Sequence, residues 1–220
     1  MSIRRKFNKE FFKKWSPEMS YILGFLFADG NIIKTKRNTH FTSLYTADYD
    51  LLHAMRGFIG SNHKISERRS ETGVVYVVQI GSKELFNDLI LLGLTPNKAR
   101  RMELPKIPKK YAKDFVRGYF DGDGNVWSGL TNTTRKRKTK TILVAFTSAS
   151  VGFLHSLFLL LKKQGLIGGS LFKSKKGNYG RLQYSTLDAL KSYKIMYNKS
   201  DKLFLNRKKL VFEKFMELRP

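Results

Sequence analysis

Two apolar segments, ILGFLFADG at 22–30 and VRGYFDGDG at 116–124, lie 94 residues apart and each closes on Asp-Gly. In the first, Gly24 and Ala28 are four residues apart; in the second, Gly118 and Gly122 repeat the spacing. On a helix such pairs share a face and leave almost no side chain there, so two backbones can approach closely. The spacing therefore predicts two helices packed on each other, each ending in a carboxylate, Asp29 or Asp123. A carboxylate at a helix C-terminus opposes the dipole and costs a few tenths to about 1 kcal/mol. Two of them brought to 4 Å would repel by about 4 kcal/mol at an effective dielectric of 20. Stability gives no reason for that arrangement. Hard carboxylate oxygens do suit a divalent cation such as Mg²⁺, which keeps positions for water and phosphate. One Asp-Gly after an apolar helix is ordinary turn chemistry; its recurrence with the same small residues points to duplication and a paired site. DGDGN is not an EF-hand loop, because counting from Asp121 the sixth and twelfth places hold Val126 and Asn132 instead of Gly and Glu.

The elements that must position these acids recur in the same order. After Asp29, NIIKTKRNTHFTSLYT alternates as a hairpin does, and Asp48 is a candidate cap for a helix with Leu51, Leu52, Met55, Phe58 and Ile59 at helical spacing. A second hairpin runs through KISERR, turns near Glu71-Thr72-Gly73 and returns as VVYVVQI, and SKELFNDLILLGL is an amphipathic helix. After Asp123 come a hairpin through TILVAFTS, a helix capped by Ser148 or Ser150, a hairpin around Lys176-Gly177-Asn178, and closing helices. Gly30 and Gly124 are expected in the left-handed conformation that stops a helix. LTPNKARRMELPKIPKKY, with Pro96, Pro105 and Pro108, reads as the linker.

Composition narrows the chemistry. The 220 residues carry 42 Lys and Arg against 17 acids, a net charge of +25, which makes a polyanion the expected partner. The absence of cysteine removes disulfides, thiolate nucleophiles and Cys-based zinc sites, and the four histidines lack metal-ligand spacing. No apolar run reaches the ~18 residues of a membrane span, and the basic N-terminus lacks the apolar stretch of a signal peptide. The expected location is cytoplasmic or organellar, not secreted.

ILGFLFADG and VRGYFDGDG resemble the two signature segments of the LAGLIDADG homing endonucleases, or meganucleases, in their single-chain, two-motif form. The resemblance covers nearly the whole chain. It implies an α+β fold of two pseudo-symmetric αββαββα repeats, 1–104 with a basic N-terminal extension and 105–220, forming a saddle-shaped antiparallel sheet over packed helices. It implies a site-specific double-stranded DNA endonuclease that hydrolyses one strand per repeat. Asp29 and Asp123 would hold Mg²⁺, or another divalent cation such as Mn²⁺. Phe27 stands where the second motif has Asp121, a position the family does not use for metal. The family's basic residue late in each repeat falls on Lys98 and Lys208, where it would stabilise charge on the scissile phosphate or activate water. A glutamine that members often place at the end of a repeat's second strand is replaced here by Ala47 and Ser148. The chain neither begins with Cys, Ser or Thr nor ends in His-Asn, so a free-standing, intron-encoded monomer is expected rather than an intein. An RNA-splicing maturase acting on intron RNA, a non-cleaving DNA-binding regulator and a basic ribosome-associated protein are the alternatives.

Strand periodicity selects a DNA-facing set. It comprises Lys34, Lys36, His40 and Thr42 in the first hairpin, Lys64, Ser66 and Arg68 in the second, and Lys140, Lys173, Lys175 and Arg181 in the second half. From Asp29 to Thr46 is 17 residues and from Asp123 to Thr147 is 24, so the second half has seven more around TTRKRKTKT. Shared between two strands, they lengthen that hairpin by roughly 11 to 12 Å. Arg135, Lys136, Arg137 and Lys138 are expected at its tip, on the phosphates of a long asymmetric target.

Overall fold

Ser16 and Pro17 start the first motif helix: the Ser16 hydroxyl accepts the Met19 amide, and Pro17 occupies a first-turn position where no N–H is needed. The computed structural model describes residues 5–71, 73–131, 139–174, 177–197 and 201–218. They divide into two compact units, 1–98 with 105–122, and 99–104 with 123–220.

The first unit holds α1 (Pro17–Asp29), β1 (Gly30–Lys34), β2 (His40–Thr46), α2 (Tyr49–Phe58), β3 (Ile65–Ser70), β4 (Gly73–Gly81) and α3 (Lys83–Leu91). It also takes α4 (Ala112–Asp123) up to Gly122. Its antiparallel sheet has the order β1-β2-β4-β3. Asp48 caps α2 by accepting the Leu51 amide, as its position suggested, and Ser82 caps α3 in the same way. The N-terminal arm is tied down: Asn62 exchanges hydrogen bonds with Lys6, and Lys13 pairs with Glu84 at 2.8 Å. Residues 19–27 of α1 are all buried, so this helix is apolar on every side and runs through the core.

The second unit repeats the order with β5 (Gly124–Thr131), β6 (Thr139–Ser148), α5 (Val151–Lys163), β7 (Ser170–Lys173), β8 (Gly180–Ser185), α6 (Thr186–Met196) and α7 (Asn206–Glu217). Its sheet order is β5-β6-β8-β7, the counterpart of the first. Ser150, one of the two candidate caps, accepts the Phe153 amide. The β5–β6 ladder runs through eight residue pairs against five in β1–β2, so the second hairpin is the longer one. Its tip, with Arg135, Lys136, Arg137 and Lys138, lies outside the described residues.

The eight strands are thus hydrogen-bonded as two four-stranded sheets in an α+β architecture. Sequence repeats and compact units are different divisions of the chain: a boundary at 104/105 follows the repeat, whereas packing assigns the second motif helix to the first unit. Gly30 departs from the left-handed cap expected for it. Its backbone is extended, at φ −92° and ψ 159°, because β1 starts there without a turn. Glycine is required for space, since an added Cβ would lie 2.6 Å from the Leu26 carbonyl oxygen. No helix among the described residues is long and apolar enough to cross a membrane.

Candidate active site

Glycines decide how α1 meets α4 inside the first unit. A Cβ on Gly24 would collide with the carbonyl oxygen of Phe115, and one on Gly118 with that of Tyr21. A Cβ on Gly122 would collide with the methyl of Ala28. All four small residues read from the sequence therefore sit in the helix contact. Two pairs flank it. The Tyr21 hydroxyl donates to Asp121 Oδ2 at 2.7 Å, while Phe27 and Phe115 meet edge to face at 5.4 Å between centroids. Phe27 and Asp121 are equivalent across the 94-residue repeat, as are Tyr21 and Phe115, so one pair is polar and its counterpart apolar. Arg117, 1% exposed, lies with its guanidinium 5.3 Å from the Tyr21 ring centroid and bonds Asp114 at 2.9 Å. A buried cation needs such partners to offset its lost hydration.

Asp29 ends α1 and is exposed. Its carboxylate leans towards α4: a Cβ on Gly122 would stand 3.4 Å from Asp29 Oδ2. Lys98, in a short 3₁₀ turn (Lys98–Arg100), reaches the same helix end and donates from Nζ to the carbonyl oxygens of Ala28, at 3.0 Å, and Gly30. The last four carbonyls of a helix lack helical donors, and a cation there also balances the dipole. In the second unit Asp123 is exposed beside Gly124, the first residue of β5. Lys208, on α7 and 6% exposed, donates from Nζ to the Gly124 carbonyl oxygen at 2.6 Å. Each unit thus places a lysine on the motif glycine that follows its acid.

Among the described residues no three His, Asp or Glu side chains form a metal-binding group. Mg²⁺ does not require one, because it is commonly bound through one or two carboxylates with substrate phosphate and water completing the shell. Exposed Asp29 and Asp123 carboxylates fit that mode. They do not form a closed protein cage.

The ladders determine which side chains face away from the helices. In the first sheet the side opposite the helices carries Asn31, Ile33, Phe41, Ser43, Tyr45 and Gln79, with Ser66 and Arg68 on β3. Arg68 lies over the Tyr45 ring at 5.8 Å, and the Gln79 amide donates to Ser43. Lys64 is exposed just before β3, and Lys36 is exposed in the β1–β2 turn. His40 and Thr42 are corrections to the expected DNA-facing set. They are 6% and 4% exposed on the helix side, His40 edge-on to Phe86 of α3. Lys34 pairs with His40 and shares that side at the strand's end.

In the second sheet Arg181 is on the open side with Asn125, Trp127, Leu143, Thr147 and Gln183. Lys140 is not: it shares the phase of buried Ile142 and Val144, and its ammonium lies 5.9 Å from the Phe215 ring on α7. Lys173 pairs with Gly180 on the helix side, where it lines a cavity with Val151 and Tyr179. Lys175, Arg135 and Arg137 lie outside the described residues. Sequence reading missed Gln79 and Gln183, which occupy equivalent places on β4 and β8, the third strand of each sheet order, opposite Ser43 and Ala145. The signal was a glutamine within each apolar strand, VVQI and RLQY.

Comparisons with known proteins follow the same lines. No family model matches the chain. The uncharacterized protein MJ0398 of Methanocaldococcus jannaschii is 30% identical over 212 residues, which span 92% of this chain and 72% of that protein. The probable translation initiation factor IF-2 of Thermococcus kodakarensis is 29% identical over 155 residues, 67% of this chain but 12% of that protein. Among solved structures, the LAGLIDADG homing endonuclease I-SmaMI bound to cleaved DNA superposes with a TM-score of 0.58 at 15% identity, covering 93% of this chain and 87% of that one. Variants of the homing endonuclease I-DmoI give 0.56 at 14% identity, over 82% and 94%.

Proposed function

The chain belongs to the same family as MJ0398 and has the fold of the LAGLIDADG homing endonucleases, and from that premise we propose that it is a site-specific, divalent-metal-dependent double-strand DNA endonuclease in which each repeat cuts one strand. The observation that supports this most directly is the repeated set of exposed aspartate, motif glycine and lysine, Asp29–Gly30–Lys98 and Asp123–Gly124–Lys208. A turn needs no lysine, and a merely structural lysine needs no adjacent exposed acid.

Asp29 and Asp123 would hold Mg²⁺, which supplies Lewis-acid polarisation of the phosphate and lowers the pKa of water. Lys98 and Lys208, fixed by main-chain carbonyls, place positive charge beside each acid, where negative charge builds on the scissile phosphate. Arg68 and Arg181 on the open sides of the sheets, with Lys64 and Lys36, would contact the duplex. The two open sides carry different residues, so a single chain acting as a monomer would read a long asymmetric site. A net charge of +25 supports a polyanionic partner.

The test is selection of cleaved sites from a random DNA library with Mg²⁺, alongside an EDTA control. Recovery of one long site cut on both strands with Mg²⁺ and intact with EDTA is the expected result. Retention of a specific site without cutting would assign a DNA-binding regulator instead. Binding of structured intron RNA in preference to any duplex would assign a maturase.

A further inference from the structure

On the open side of the first sheet Ile33, three residues after the motif Gly30, stands opposite Phe41. On the open side of the second, Trp127, three residues after Gly124, stands opposite Leu143. The row is the same in both repeats and apolar in both. Ile33 is 39% exposed and Trp127 43%. Scattered exposed apolar residues are normal on any protein; two at one repeat position, each with an apolar cross-strand partner, are a pattern. Trp127 is also seated. A Cβ on Gly129, two residues along the strand on the same side, would collide with the indole ring, so that glycine lets the ring lie against its own strand.

The neighbouring row carries the same amides in both repeats: Asn31 and Gln79 flank buried Ser43 in one sheet, and Asn125 and Gln183 flank buried Ala145 in the other. Amide side chains can hydrogen-bond base edges, adenine above all, whereas an apolar side chain finds one apolar group there, the thymine C5-methyl. We infer that Ile33 with Phe41, and Trp127 with Leu143, read thymine methyl groups, one row in each half of the DNA target. This rests on the endonuclease reading above and adds the base class that one row of each repeat selects.

The probe is the duplex recovered by selection with Mg²⁺. In it, each thymine is replaced in turn by deoxyuridine, which lacks only the methyl, and affinity is measured with the full chain in EDTA. One methyl transferred from water is worth about 0.8 kcal/mol, so replacement at one thymine in each half should weaken binding about fourfold. Trp127→Ala should abolish the thymine preference in one half only, Ile33→Ala in the other, and Trp127→Phe should retain part of it. All three variants should melt like the wild type, because neither Ile33 nor Trp127 is in the core. A duplex bound as tightly as before whatever thymine is replaced would overturn the inference and leave intact the endonuclease reading, which the selection with Mg²⁺ tests by itself. So would alanine variants that keep the full preference, or a selected site with no thymine in either half. Failure to select any duplex would instead remove the reading on which the inference rests, and the inference with it.

Discussion

Lys98 and Gly30, 68 residues apart in the chain, are joined by a hydrogen bond from the lysine ammonium to the glycine carbonyl. Lys208 makes the same bond to Gly124. The residue beside each acid therefore has a folding task whatever chemistry it performs: it fixes the point at which a motif helix becomes a strand. Binding, rate and stability respond differently when it is removed.

Lys98→Met should cost about 1.5–3 kcal/mol of stability, the range for hydrogen bonds to a charged group. It should slow cleavage by more than it weakens DNA binding. Denaturant melts and single-turnover rates at saturating protein separate the two effects. A normal rate with a weaker dissociation constant would mean that the lysine only contacts DNA.

On the proposed mechanism, in which the acids would hold the metal, Asp29→Asn and Asp123→Asn should each abolish double-strand cleavage while leaving site binding within about tenfold. Both carboxylates are exposed at a helix C-terminus. Neutralising either should leave stability unchanged or raise it by a few tenths of a kcal/mol. Gel shifts and cleavage assays on one preparation decide this, and undiminished cutting would end the paired-acid mechanism.

Gly118→Ala and Gly57→Ala should have opposite signs. A methyl at Gly118 meets the Tyr21 carbonyl, a backbone atom that cannot swing aside, so the helices must part at a cost of about 1–3 kcal/mol. At Gly57, within α2, nothing lies within 4 Å of the new atom, and alanine should stabilise by about 0.5–1 kcal/mol. Urea midpoints of the two variants test it; two shifts of the same sign would contradict the packing described.

Asp188 supplies a pH dependence. Burial alone would raise its carboxyl, but hydrogen bonds from the Gly168 amide, Lys191 and the Ile167 amide outweigh that and hold it below the ordinary carboxylate value. The unfolded chain therefore takes up the proton first. The contribution is complete above the unfolded value of about 3.9 and is lost as pH falls through the lower folded value. Asp188→Asn should destabilise at pH 7 and lose that deficit in acid. Melts of both proteins at pH 7 and pH 3 check this, and a deficit unchanged by pH would assign the effect to shape alone.

Much of this architecture was legible in the sequence. Asp48 and Ser150 announced their helices, and the small residues of both motifs announced a close helix contact; Lys98 and Lys208 bond the carbonyls of the glycines that follow the two acids. The side of the first hairpin was not legible. Polar His40 and Thr42 read as open, whereas the structure turns them to the helix side and puts apolar Ile33 and Phe41 on the open one. Alternation fixes that sides differ; residue type misleads about which is which when the open side is apolar. Lys140 and Lys173 misled for another reason. A long aliphatic stem near a strand end carries its charge to the rim of the helix side, as Lys140 does over Phe215. Gly30 shows a third limit: collision with Leu26 demands glycine there, and composition alone does not distinguish that from a left-handed cap.

The unequal pairs at the α1–α4 contact make the divergence of the two repeats hard to reverse. A chain built from two copies of the first repeat would set Tyr21 against Phe27, a hydroxyl without its carboxylate. Two copies of the second would set Asp121 against Phe115 on both sides, burying two acids on phenyl rings. Each half now depends on a residue that only the other supplies. At this contact the halves are complementary and not interchangeable, and a symmetric pair of identical halves would reproduce neither arrangement in full without changes at Tyr21, Asp121 or their counterparts.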